Sequence, residues 1–108
     1  MATATVTTHV LDAALGRPAA GVGVRLERAD GTVVAEARTD DDGRVGDLGV
    51  PEPGGHRLVF ATGEWFAGQG RETFYPEVVV TFTVDDPDGH LHVPLLLSPY
   101  AYSTYRGS

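Results

Sequence analysis

The chain contains no cysteine, lysine, asparagine or isoleucine. Without cysteine there is no disulfide framework, no thiol nucleophile and no thiolate ligand for zinc or an iron–sulfur cluster, so stability has to come from packing. Without lysine, a Schiff base and a P-loop lysine are excluded, and all eight basic residues are arginines. Without asparagine there is no N-glycosylation acceptor. Apolar runs are short: none approaches the ~18 residues of a membrane helix. The opening MATATVTTHV has neither a basic n-region nor an apolar h-region. The expectation is a cytoplasmic protein with no membrane partner. Positive charge is also scarce. Eight basic residues against fifteen acidic ones leave a net charge of −7, and nucleic acid, which wants a basic face, is excluded as a partner on that ground.

What is present suits a small globular protein. At 108 residues, with 42% hydrophobic and 21% charged, the chain has room for one domain, residues 1–108, built around a single core. Short apolar alternations recur between Gly, Pro and Asp punctuation, the pattern of an all-β sandwich of about seven or eight strands. A strand from Thr5 to Leu11 puts Val6 and Val10 on one face and His9 on the other. Val22 to Arg28 turns Val22, Val24 and Leu26 inward and leads through Ala29-Asp30-Gly31 into a hairpin partner with Val33, Ala35 and Ala37 inward. The run Asp40-Asp41-Asp42-Gly43 ends that strand, and Arg44 follows. Leu58 and Phe60 mark another strand after a Pro/Gly-rich connection from Gly49 to Gly55. Thr62 is placed to cap one helical turn through Ala67, the single helix expected. Val78, Val80, Phe82 and Val84 form the clearest inward face. A hairpin return through Asp85 to Gly89 would bring in Leu91, Val93, Leu95 and Leu97 facing the core, with His90 and His92 facing away. Tyr100 to Tyr105 makes a last short strand.

Two distant strands thus each carry a histidine on a face away from the core. A histidine there is ordinarily a solvated surface residue. His9 and His92 facing one cavity, however, can divide the roles of general base and general acid, because imidazole titrates near neutrality. His90-Leu91-His92 also has the i, i+2 spacing of a metal pair, for which His9 or a carboxylate would have to supply a third ligand. The acidic run before Gly43 lacks the ligand spacing and glutamate of a calcium loop and reads as a solvated turn. In a chain this acidic, Arg44 and Arg106 are candidates for a local anion or carbonyl site. Arg44 alternatively pairs with Asp40 to Asp42. Ser108 near a histidine invites a nucleophilic reading, but no G-x-S-x-G elbow exists. Tyr100, Tyr102 and Tyr105 read as core or interface aromatics.

The segments THVLDAALGRPA, TDDDGR and HLHVPLLLSPYAYSTYRGS together resemble the 5-hydroxyisourate hydrolases of the transthyretin-like family, over essentially the whole chain. The early pattern is shared by other prealbumin-like modules; YRGS after H-x-H-V-P is the specific part. Vertebrate transthyretin, a hormone carrier, shares SPYxYST but lacks the YRGS ending and the histidines equivalent to His9 and His92. The resemblance implies a prealbumin-like two-sheet sandwich with one short helix, assembled as a homotetramer with its sites at subunit interfaces. It implies His9, Arg44, His92 and Ser108 as the catalytic group, with His9, Arg44, Tyr105 and Arg106 binding substrate. The implied reaction is hydrolysis of a cyclic amide bond in 5-hydroxyisourate to 2-oxo-4-hydroxy-4-carboxy-5-ureidoimidazoline, a step of urate catabolism, without metal or organic cofactor. Leu91 departs from the aromatic often found between the two histidines, and its inward parity makes this a packing change. The alternatives are a carrier that uses the same channel without chemistry and a sandwich module detached from a larger enzyme.

Overall fold

The computed structural model describes residues 4–49, 51–86 and 89–108. Pro87 and Asp88 of the expected acidic turn, and Val50 of the Pro/Gly-rich connection, lie outside them. Along the chain run β1 (Thr5–Asp12), β2 (Arg17–Pro18), β3 (Gly23–Arg28), β4 (Val33–Arg38), β5 (Arg44–Val45), β6 (Gly54–Phe60), α1 (Thr62–Ala67), β7 (Val78–Val84), β8 (His90–Ser98) and β9 (Ala101–Thr104). They form two sheets. One has the order β2-β1-β8-β9, with β5 also on β1; the other has the order β4-β3-β6-β7. Seven strands are long enough to show periodicity. The other two, β2 and β5, are two residues each, too short to be read from alternation.

The inward faces are the ones the alternation assigns. Val6, Val10, Val24, Leu26, Leu58, Phe60, Val78 and Val84 are buried with Leu91, Val93, Leu95 and Leu97 between the sheets, and Phe66 of α1 joins them. On β1 and β8 every second residue points the other way, so that Thr5, Thr7 and His9 on one strand and His90 and His92 on the other share the outer face.

Three details differ from the expectation. The pairing of β3 with β4 slips between Leu26 and Glu27, so that Ala35 stands opposite Leu26 and Val33 opposite Glu27. This bulge inserts Val34 against the core and leaves Val33 45% exposed. Thr62 does not cap the helix: Ala61 holds the N-cap position with no side-chain hydrogen bond, and the buried Thr62 hydroxyl finds no partner among the described residues. Finally, β7 and β8 are not a hairpin. They belong to opposite sheets, and β8 runs parallel to β1 in a register from Thr5 opposite His90 to Asp12 opposite Leu97. Both carry apolar inner faces, and these meet across the core.

One buried ion pair ties the loop after α1 to the end of β1. Asp12 is 1% exposed; its carboxylate accepts hydrogen bonds from the backbone of Ala14 and Leu15 and from Arg71 at 2.7 Å. Burial works to raise its pKa, but the Arg71 guanidinium and the two amides outweigh it and hold the carboxyl below its ordinary value. A carboxylate with a lowered folded-state pKa stabilises the fold fully above its unfolded value, about 3.9, and loses that contribution as pH falls through the folded value. Arg71→Leu removes the partner of a buried charge, at a cost of about 3 kcal/mol. Thermal unfolding scanned from pH 6 to pH 3 checks this: the variant should melt lower at pH 6, and the gap to the wild type should narrow as pH falls, because without Arg71 burial dominates and protonation of Asp12 relieves the buried charge.

Candidate active site

The strand pairings of β1 assemble the outer-face site. In the parallel register with β8, Thr5 lies opposite His90, Thr7 opposite His92 and His9 opposite Pro94. His9 and His92 are therefore diagonal neighbours, one strand apart and two residues along, a separation of about 8 Å between backbones. On the other edge of β1, β5 pairs antiparallel with Arg44 opposite His9. Sequence reasoning had no route to this pairing, because it is made by a two-residue strand.

The turn before β5 explains how Arg44 gets there. Asp40 Oδ1 accepts hydrogen bonds from the backbone N–H groups of Asp42 and Arg44, both at 2.9 Å. The Gly43 carbonyl accepts one from the Val10 amide at 2.7 Å. Gly43 has φ +77° and leaves no space for a Cβ against the Val10 carbonyl, so only glycine allows the turn to close this tightly on β1. The acidic run is thus a turn whose first carboxylate holds backbone amides. The Arg44 guanidinium makes no ion pair among the described residues, so the alternative of a salt bridge to Asp40 to Asp42 is not realised.

Arg44, His90, His92, Ser108 and Thr7 line one concavity of about 260 Å³ on this face. His92 is half-buried, and its Nδ1 lies 2.8 Å from the Thr7 hydroxyl. Burial, followed by electrostatic repulsion from Arg44, His9 and His90, lowers its pKa against an opposing hydrogen bond to the Thr7 backbone. The imidazole therefore stays neutral to lower pH than an ordinary histidine. The H-x-H pair is occupied with hydroxyls: His90 Nδ1 is 2.6 Å from Thr5 Oγ1.

The chain's end completes the wall. After β9 the tail returns to β8, where the Gly107 amide donates to the His92 carbonyl at 2.8 Å. A Cβ on Gly107 would stand 2.5 Å from His92 Cδ2. Only a glycine lets the backbone lie against the imidazole and deliver Ser108 to the concavity. Tyr105 and Arg106 do not line it. They border a separate cleft of about 280 Å³ with Val80, Phe82, Leu91 and Val93, and His92 stands on the wall between the two. Thr7 and Gly107 went unnoticed in the sequence. The parity of Thr7 with His9 was its signal; Gly107 carried none apart from its place beside Ser108.

The two-sheet sandwich carries imidazoles and, among the described residues, a guanidinium without an ion pair on the outer face of one sheet, and its fold is transthyretin-like. The family model described as Transthyretin, HIUase/Transthyretin family, matches residues 6–107, and the chain belongs to this family. It is 52% identical to the 5-hydroxyisourate hydrolase of Caulobacter vibrioides, over 95% of this chain and 97% of that one. Among solved structures it is similar to Klebsiella pneumoniae 5-hydroxyisourate hydrolase, with a TM-score of 0.89 at 38% identity, covering 97% of this chain and 94% of that one. Sea bream transthyretin, solved in complex with thyroxine, is also similar, with a TM-score of 0.86 at 32% identity over 94% of this chain and 93% of that one.

Proposed function

We propose that the chain is an enzyme that hydrolyses 5-hydroxyisourate at a ring amide, in urate catabolism, with water and no cofactor. The observation that carries this reading is the convergence of an unpaired Arg44 guanidinium, His92 with its lowered pKa and the Ser108 hydroxyl in one concavity beside His9. The high identity to the Caulobacter hydrolase supplies the substrate.

His92 is the base. Its Nε2, free of the Thr7 bond at Nδ1, takes a proton from water as the oxygen attacks the ring carbonyl carbon. The carbonyl electron pair moves onto oxygen as negative charge. Arg44 stabilises this oxyanion, as a preorganised donor worth about 3 to 4 kcal/mol in such sites. When the tetrahedral species collapses, the C–N bond breaks towards nitrogen. An imidazolium, His92 or His9, returns a proton to that nitrogen. Ser108 orients the water or the ring. Tyr105 and Arg106 contact substrate from a neighbouring subunit of a homotetramer. The outer edges of β7 and β9, which pair with no strand among the described residues, and the exposed Phe74, Tyr100, Tyr102 and Tyr105 support assembly with further copies.

Added to a urate plus urate oxidase reaction, the protein should accelerate loss of the intermediate's ultraviolet absorbance. Saturable binding of an aromatic ligand with no acceleration would favour a carrier. The pH profile adds a second check. Because His92 is held below its ordinary value, the acid limb of kcat/KM in the free enzyme falls below pH about 6.5. A limb above that value that persists when His90 is replaced by glutamine contradicts His92 as base.

A further inference from the structure

Thr7 stands between the two imidazoles of β8. Its Oγ1 lies 2.8 Å from His92 Nδ1 and 3.4 Å from His90 Nε2, and the other nitrogen of His90, Nδ1, lies 2.6 Å from Thr5 Oγ1. The parallel register sets this ladder by placing Thr5 opposite His90 and Thr7 opposite His92. A hydroxyl donates one proton and a neutral imidazole carries one N–H. Two arrangements satisfy every bond and keep the Thr7 proton within the chain; in a third, Thr7 accepts from both rings and finds no other acceptor for its own proton among the described residues. In the first, both histidines carry the proton on Nδ1: His92 donates to Thr7, Thr7 donates to His90 Nε2, and His90 donates to Thr5. In the second, every bond reverses and both histidines carry the proton on Nε2.

The two arrangements differ at the atom that matters for the proposed reaction. In the first, His92 Nε2 presents a lone pair to the concavity; in the second it carries a proton. We propose that Thr7 locks the tautomer of His92 to that of His90, making Thr7 and His90 positioning residues that decide whether His92 can act as a base. A protonated His90 has an N–H on both nitrogens. It donates to Thr7, and as long as the Thr7 proton stays within the chain, Thr7 donates to His92 Nδ1 and the His92 proton is held at Nε2. Protonation of His90 thus withdraws the base while His92 itself stays neutral. Arg44 from β5 and His9 from β1 are the other charged and titratable groups whose fields act on His92. Ser108 adds a hydroxyl from the tail. This role of Thr7 and His90 rests on the reading of His92 as base, but the tautomer lock is measurable without turnover.

The test is nitrogen-15 NMR of the His92 ring, together with kinetics, in the wild type, Thr7→Val, Thr7→Ser and His90→Gln. In the wild type at pH 8, His92 should be protonated at Nδ1. Thr7→Val should move the proton towards Nε2 and lower kcat about tenfold or more, as a wrong tautomer does elsewhere, with KM changed by less than about threefold. Thr7→Ser restores the hydroxyl and should recover both tautomer and kcat, which separates the lock from loss of fold. His90→Gln should move the acid limb of kcat to lower pH. An unchanged His92 tautomer and an unchanged pH profile in Thr7→Val overturn the proposal, even if activity falls. Full activity of His92→Asn with the tautomer lock visible overturns the base assignment instead.

Discussion

His92→Asn and His9→Asn each lower kcat by about 10² to 10⁴, the range for loss of a positioned acid or base. KM should change much less, because asparagine keeps a polar side chain on the same strand face while removing the group that takes or gives the proton. The structural basis is the register of two parallel strands, which sets the histidines diagonally across from each other on a face that the core does not use. Steady-state kinetics on freshly generated 5-hydroxyisourate measures it, and thermal unfolding of the same samples verifies the fold. The two losses need not be equal. Arg44 sits opposite His9 and can hold substrate charge in its absence, whereas His92 has no substitute among the residues lining the concavity except His90, whose ring nitrogens both face threonine hydroxyls.

Gly107→Ala should be nearly as damaging although it removes no chemical group. An added Cβ would meet the edge of the His92 ring at 2.5 Å and Pro94 Cγ at 3.2 Å, distances that force the imidazole or the tail to shift. A misplacement of about 1 Å costs on the order of a hundredfold in rate. Stability should hardly move, because the tail is an exposed edge held to β8 by one backbone bond, Gly107 N–H to the His92 carbonyl. A variant with wild-type melting and much reduced kcat meets the expectation. If Gly107→Ala turns over at the wild-type rate, the tail does not position His92.

The outward parity of His9 and His92 was readable from the sequence because it follows from period-two alternation on long, apolar strands. Val78 to Val84 and Leu91 to Leu97 declare their inner faces, and a strand cannot turn half of its side chains inward without turning the rest out. Alternation does not say which strand lies beside which. The parallel pairing of β1 with β8, the two-residue β5 that carries Arg44 to His9, and the crossing of β8 to the opposite sheet are long-range choices made by how two apolar faces meet. The bulge at Val34 is of the same kind, since one inserted residue satisfies both the pairing of Leu26 with Ala35 and burial in the core. Arg44 was a candidate on its charge and on the family resemblance; what removed its competing partner was a turn in which Asp40 holds amides instead of a guanidinium. Tyr105 and Arg106 were placed at the substrate by the family resemblance, and Arg106 also by its charge. Within one chain, the tail's contact with β8 separates them, turning Ser108 into one concavity and Tyr105 and Arg106 into the other.

The double variant His9→Asn/His92→Asn tests most directly whether the two imidazoles serve one reaction. Groups that act as a unit are non-additive, so the double variant should lose hardly more kcat than the worse single one. Losses that multiply, each independent of the other, or single variants that keep near wild-type rates, would contradict a shared site.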